Sequence, residues 1–238
     1  MQRAKTNLHP HNSTKHRFDA VIFDLDGTLV EFKFDIKASR RAMIAWLCSQ
    51  GFSVDGLTDE TKTKYIYDEA DHQCNDNGAG NLAAVRKHLS SILDSFEFRA
   101  FEEAKAFPES IGVLQRLNDR GVICALVTNG GRAPASQVLS KFGFDKYLSS
   151  VITRDEVRSL KPDPEGVLKT LSFLKIRADQ AVFVGDSTID IEAAKKAGVL
   201  SVALANGMYR PGPLAARAPD YLIAGIGDVE KIVFGEDI

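Results

Sequence analysis

The 238-residue chain is short of several things, and each shortage removes a class of protein. Its three cysteines, Cys48, Cys74 and Cys124, stand far apart with no CxxC pair, which excludes a disulfide framework and a cysteine zinc site and fits a reducing compartment. No apolar run approaches the ~20 residues that span a bilayer, and the N-terminus lacks the apolar stretch of a secretory signal, so a cytoplasmic location is expected. The triplet Asn12-Ser13-Thr14 then has no glycosylation role. Excess charge is also missing. With 30 basic and 32 acidic residues the formal net charge is −2, too balanced for a polyanion-binding surface, although a local positive pocket for a small anion remains open. Neither nucleic acid nor membrane is an expected partner. Residues 1–17 lack acids altogether and hold His9, His11 and His16; a flexible basic tail is the expectation there.

What is present from residue 18 onward is alternation. Apolar runs at 18–24, 122–128, 148–153, 181–186, 200–205 and 221–223 read as strands buried on both faces. Helices are expected at 108–118, 134–142, 163–174, 188–198 and 228–233, with Gly143 and Gly198 as stops. Between the first two strands the pattern changes. Residues 36–50, 58–71 and 81–95 carry helical apolar spacing, broken by the turns 51–56 and 75–78. The expected architecture is α/β: a doubly wound, mostly parallel sheet formed by 18–31 and 105–238, with a small helical domain inserted at 32–104.

Three of the strand runs end in Asp24, Thr128 and Asp186. Parallel strand ends have no structural demand for such residues, and in this architecture ligands bind beyond them. The stretch Val21-Ile22-Phe23-Asp24-Leu25-Asp26-Gly27-Thr28 is the most informative. Two acids one residue apart at the end of a buried strand repel, so either one pKa rises or a cation neutralises them. Gly27 permits a sharp turn, and the Thr28 hydroxyl is expected to tie it down.

Together, Asp24-Leu25-Asp26-Gly27-Thr28, Thr128 in Leu126-Val127-Thr128-Asn129-Gly130, Lys161 in Lys161-Pro162-Asp163-Pro164, and Gly185-Asp186-Ser187-Thr188-Ile189-Asp190 resemble the four motifs of the haloacid dehalogenase superfamily, in its phosphatase branch. They fall in the family's order, and the helical insert lies where the family's C1 cap belongs. Asp at 26, where dehalogenating members lack an acid, implies a phosphatase or a phosphomutase of the β-phosphoglucomutase kind. Residues 206–212 add a weaker resemblance to phosphoglycolate-phosphatase-like members.

The resemblance and the chemistry give the same roles. Asp24 attacks phosphorus and forms an aspartyl-phosphate; Asp26 protonates the leaving group and later deprotonates water. Mg²⁺ is the implied cofactor, held by Asp24, Asp186, Asp190 and the main-chain carbonyl of Asp26. Thr128, the amides after it at Asn129, and Lys161 hold the phosphoryl oxygens. The expected partner is a small phosphorylated metabolite, phosphoglycolate-like, a sugar phosphate or a nucleotide monophosphate, acting on a monomer or homodimer. A non-catalytic phospholigand-binding protein is the competing class. Substrate choice belongs to the insert, where Lys33, Lys37, Arg40, Arg41 and Arg86 can meet a second anion and Tyr65, Tyr67 and Trp46 can stack on a base; solvated basic residues and a core Trp46 are the simpler reading.

Overall fold

The computed structural model describes residues 17–31, 33–205 and 211–236. The expected tail at 1–16, with its histidines and Asn12 triplet, and residues 206–210 lie outside the described residues. In chain order the elements are β1 (Ala20–Phe23), β2 (Val30–Glu31), α1 (Ile36–Ser49), α2 (Thr63–Asn77), α3 (Leu82–Glu102), β3 (Lys105–Ala106), α4 (Ser110–Asp119), β4 (Ile123–Val127), α5 (Arg132–Phe142), β5 (Leu148–Ile152), α6 (Glu165–Leu174), β6 (Ala181–Gly185), α7 (Thr188–Ala197), β7 (Leu200–Leu204), α8 (Pro211–Ala215), β8 (Tyr221–Ile223) and α9 (Asp228–Phe234).

A strand whose successive side chains are all apolar can be satisfied only with packing on both faces. Ala20 and Ile22 of β1 join Val167 and Leu171 of α6 and Ala193, Ala194 and Ala197 of α7 in one core cluster. Val21 and Phe23, the alternate residues, join Val113 and Leu117 of α4, Val138 of α5 and Val229 and Ile232 of α9 in another. The strand order β5-β4-β1-β6-β7-β8 is parallel throughout, so the expected doubly wound α/β sheet is what the chain forms.

The chain leaves this sheet and returns to it through β2 and β3, which pair antiparallel with Val30 opposite Ala106. Between them, α1, α2 and α3 bury a stripe of their own: Met43 and Leu47, then Ile66, Tyr67 and Ala70, then Val85, Leu89 and Leu93, with Leu160 of the sheet-bearing part inserted among them. Asp35 caps α1 by accepting from the Ala38 N–H at 2.8 Å, and Asn81 caps α3 by accepting from Ala84 at 3.0 Å.

Element boundaries differ from expectation where side chains act locally. Residues 58–62 form a turn instead of opening α2, because the Thr61 hydroxyl accepts from the Thr58 N–H at 2.9 Å. Residues 75–77 remain helical, and α2 stops only at Gly78 in the left-handed conformation. α3 continues past residue 95 because Glu97, Ala100 and Phe101 prolong its buried stripe. Among the described residues no helix is long and apolar enough to cross a membrane.

Candidate active site

β1 lies mid-sheet between β4 and β6, so the side chains that follow these three strands converge. Asp24 follows β1 directly, its N–H donating to the Val184 carbonyl at 2.9 Å. The chain then turns tightly: the N–H groups of Leu29 and Val30 donate to the Leu25 carbonyl at 2.9 and 3.1 Å, and Gly27 donates to Val30 at 2.8 Å. The main chain holds this turn. The Thr28 hydroxyl is buried without a hydrogen-bond partner, contrary to the expected anchoring role. Gly27 adopts φ +80°, and a Cβ there would lie 2.1 Å from Asp186 Oδ2, so only glycine lets the β1 loop pass the carboxylate that follows β6.

Lys161, in the loop before α6, is buried, and its ammonium joins three elements. Nζ donates to Asp24 Oδ1 at 2.6 Å, to Asp190 Oδ1 at 2.7 Å and to the Val127 carbonyl at 3.1 Å. Its main chain is clamped by Asn129, whose Oδ1 accepts from the Lys161 N–H at 2.9 Å and whose Nδ2 donates to the Lys161 carbonyl at 3.1 Å. The Asn129 carboxamide is therefore occupied, and what remains to Asn129 for an anion is its main-chain amide. The Thr128 hydroxyl accepts from the Gly130 N–H at 2.9 Å. A Cβ on Gly130 would sit 3.3 Å from that hydroxyl and 3.8 Å from Asp26 Oδ2, which sets how closely Thr128 and Asp26 flank this glycine. Oδ1 of Asp26 is buried with no partner.

One carboxylate oxygen each from Asp24, Asp186 and Asp190 lies within 4.8 Å of the others, spacing that can hold a metal ion. The donor set is hard and anionic, as Mg²⁺ prefers. Asp190, in the first turn of α7, accepts through Oδ2 from the N–H and hydroxyl of Ser187, so it caps its helix and faces the site at once. Four carboxylates meet one ammonium here. Burial, opposed by Lys161 and reinforced by Asp190, pushes the Asp24 carboxyl up to about 6 even though it is ion-paired. Burial, then the charges of Asp24 and Glu97, hold Asp26 well above the ordinary carboxyl range. Burial works against the Lys161 charge, but Asp190 and Asp24 outweigh it and its pKa is raised.

Asp24, Asp26, Thr128, Asn129, Lys161 and Asp186 line one cavity of about 330 Å³, closed on its other side by Phe34, Arg40, Lys62, Lys64 and Tyr65 of the helical insert. Of the basic residues nominated for a second anion, only Arg40 is there. Lys37 pairs with Glu60, Arg41 with Asp59 and Arg86 with Asp71, while Lys33 lines a separate cavity of about 580 Å³ beside β2 and β3. Trp46 stacks on His88 with ring centroids 4.1 Å apart, and Tyr67 is buried in the insert's core. A buried ion cluster missed from the sequence also touches the site: Arg154 pairs with Glu97 and Asp94, and Glu97 lines the cavity. The readable signal was the row Val85, Leu89, Leu93, Glu97, Phe101, where an acid takes a buried position of a stripe at i+4 spacing.

A doubly wound sheet with acids and a lysine gathered at its strand ends is the layout of an α/β enzyme. The chain belongs to the haloacid dehalogenase-like hydrolase family, whose sequence profile matches residues 21–204. It is 38% identical to a protein of Caldanaerobacter subterraneus subsp. tengcongensis bearing the pyrophosphatase name PpaX, across 93% of this chain and 97% of that one. It is 30% identical to a phosphoglycolate phosphatase of Cupriavidus necator, across 86% and 88%. The fold is shared with a HAD-superfamily hydrolase of subfamily IA from Geobacter sulfurreducens, at TM-score 0.57, 24% identity and coverage of 92% and 98%. The chain is thus an enzyme, a hydrolase of the haloacid dehalogenase-like kind.

Proposed function

We propose that the protein is a Mg²⁺-dependent phosphatase for a small phosphorylated metabolite, of the phosphoglycolate-like kind that carries a second anionic group. The convergence of Asp24, Asp26, Thr128, Lys161 and Asp186 on one cavity supports this reading above all. Uncatalysed phosphate-monoester hydrolysis is among the slowest of reactions, needing up to ~10²¹-fold acceleration, and splitting it in two lowers the demand on each step. A carboxylate oxygen of Asp24 forms a bond to phosphorus as the ester P–O bond breaks, and Asp26 gives its proton to the departing alkoxide. Water then attacks the aspartyl-phosphate, Asp26 takes the water's proton, and orthophosphate leaves with Asp24 restored. Thr128, the amide of Asn129 and Lys161 hold the phosphoryl oxygens as charge spreads over them. Mg²⁺ bound by Asp24, Asp186, Asp190 and the Asp26 carbonyl would supply the positive charge that lets carboxylate and phosphate approach.

The helical insert, residues 32–104, acts as a cap over the core formed by 18–31 and 105–238. Arg40 and Lys62, on the cavity wall facing the acids, favour a leaving group with its own negative charge, while Lys64 on the same wall pairs with Asp68. The three unpaired thiols fit a cytoplasmic enzyme, working as monomer or homodimer. The test is orthophosphate release from a panel of metabolite phosphates headed by phosphoglycolate, with Mg²⁺ or EDTA, for wild type and Asp24→Asn. Release by the wild type with Mg²⁺ alone is expected. Equal turnover by Asp24→Asn would exclude the aspartyl-phosphate route, and an isomerised sugar phosphate without free phosphate would mark a mutase.

A further inference from the structure

Three main-chain groups of the loop after β4 end on two buried charged residues, two of them on side chains and the third on the Arg154 main chain. The Asn129 carbonyl accepts from Nη1 of Arg154 at 3.2 Å, the Gly130 carbonyl accepts from the Arg154 main-chain N–H at 3.1 Å, and the Gly131 N–H donates to Oε2 of Glu97 at 3.0 Å. The two side chains are joined to each other, Nη1 to Oε1, at 2.6 Å. The same guanidinium donates to the Ser90 carbonyl at 3.3 Å and to the Asp94 carboxylate. Ser90, Asp94 and Glu97 all belong to α3. A Cβ on Gly131 would fall 2.1 Å from Asp94 Oδ1 and 2.6 Å from Arg154 Nη2, so the loop's glycine is what allows helix and guanidinium to come this close.

Burying charges costs desolvation energy that pairing only partly returns, and apolar residues of similar volume stabilise a core as well or better. Arg154 and Glu97 are 4% and 5% exposed, so stability alone gives no reason for them to be charged. What an apolar pair cannot do is donate to the Asn129 carbonyl and accept from the Gly131 N–H, and so fasten two successive peptide groups. Those groups follow directly on the peptide that carries the Asn129 amide, the one assigned above to a phosphoryl oxygen.

We propose that Arg154 and Glu97 are positioning residues for phosphoryl transfer: they set the peptide planes of residues 129–131, and they tie that setting to the docking of α3. This rests on the phosphatase reading above. Neither residue touches the reacting atoms. Their effect falls on the geometry of the oxygen-binding amides, and therefore on the step in which phosphoryl charge develops rather than on contacts to the leaving group.

The experiment compares wild type, Arg154→Met, Glu97→Gln and the double variant, by steady-state kinetics on one phosphomonoester with Mg²⁺ and by thermal unfolding. Arg154→Met leaves Glu97 without its counter-ion and Glu97→Gln leaves Arg154 with Asp94 alone, so each single variant is expected to lose stability; the double variant, with both buried charges removed, recovers most of its Tm. A purely structural pair would recover kcat together with Tm. A positioning pair does not, because the Asn129 carbonyl still lacks its donor: kcat stays down about 10- to 100-fold, the range found when supports of reacting groups are removed, while KM stays near wild type. Recovery of kcat in the double variant, or wild-type kcat in either single variant, overturns the proposal. If the double variant does not fold, Glu97→Gln decides through orthophosphate inhibition: weakened inhibition supports the proposal and wild-type inhibition overturns it. Absence of turnover in the wild type would instead count against the phosphatase reading itself.

Discussion

Nζ of Lys161 lies 2.6 Å from Oδ1 of Asp24, and the same nitrogen stands 2.7 Å from Oδ1 of Asp190. One buried ammonium therefore serves two buried acids from different elements, Asp24 after β1 and Asp190 in α7. Removing it leaves two carboxylates without their counter-ion, and breaking a buried pair in this one-sided way costs about 3–5 kcal/mol. Lys161→Met is expected to lose stability of that order in urea unfolding in EDTA. Turnover should fall on the order of 10²- to 10³-fold, as when a donor to developing charge is deleted. Added Mg²⁺ should narrow the stability gap, since it neutralises the same acids. An unchanged unfolding midpoint in EDTA would show that the ion pair carries no weight.

The partnerless Oδ1 of Asp26 leads to a kinetic expectation. With p-nitrophenyl phosphate the first step needs little help from a proton donor, whereas hydrolysis of the aspartyl-phosphate still needs a base for water. Asp26→Asn should release a burst of nitrophenolate approaching one equivalent per chain and then turn over about 10²- to 10⁴-fold more slowly than wild type, the usual worth of a general acid–base. Asp24→Asn should show no burst. Stopped-flow absorbance checks both, and a slow Asp26→Asn reaction without a burst would put its role in the first step only.

The pH dependence of activity and of metal-free stability should run in opposite directions. Asp24 must be ionised to attack, and burial pushes its carboxyl up to about 6. Asp26 must hold a proton, and burial, Asp24 and Glu97 keep it well above the ordinary range. The rate, kcat/KM, should therefore rise as pH climbs through about 6 and fall again at higher pH. For stability, Asp24 has a folded pKa above its ordinary 3.8, so its contribution is fully present below that value and is lost as pH rises through about 6. Tm measured in EDTA should drop over this interval, and the Tm gained on adding Mg²⁺ should grow across it because the cation binds the ionised form. A Mg²⁺ shift independent of pH would rule out Asp24 as a titrating ligand.

How far the sequence could be read follows from how local each signal is. Asp24, Thr128 and Asp186 are legible because each ends an apolar strand, and the sheet topology then brings strand ends together. Lys161 is legible by its motif, but nothing local says that one lysine bridges Asp24 and Asp190, 29 residues apart from the second of these. The Asn129 carboxamide looks free in sequence and is used up on the Lys161 main chain. The basic residues of the insert resisted reading for a similar reason: Lys37, Arg41 and Arg86 each find an acid contributed by a neighbouring segment, and no helical pattern reveals which of the basic residues lines the cavity. Arg154 and Glu97 meet across 57 residues.

Gly27 offers the sharpest test of how the acidic cluster is assembled. Its φ of +80° and the 2.1 Å approach of Asp186 Oδ2 to a hypothetical Cβ are separate effects with separable consequences. The conformation alone would charge Gly27→Ala about 1–2 kcal/mol. The collision does something different, because it drives the Asp186 carboxylate out of reach of Asp24 and Asp190. If strain were the whole effect, the variant would unfold at lower temperature and still gain its full Tm increment from Mg²⁺. Since Asp186 must move, the increment itself should vanish. Asp186→Ala should abolish it equally, and combining the two substitutions should remove nothing more, the non-additivity expected of residues acting through one contact. Thermal unfolding of the four proteins with Mg²⁺ and with EDTA reads this directly: a full increment in Gly27→Ala would mean that Asp186 is not held in the cluster by its passage across Gly27.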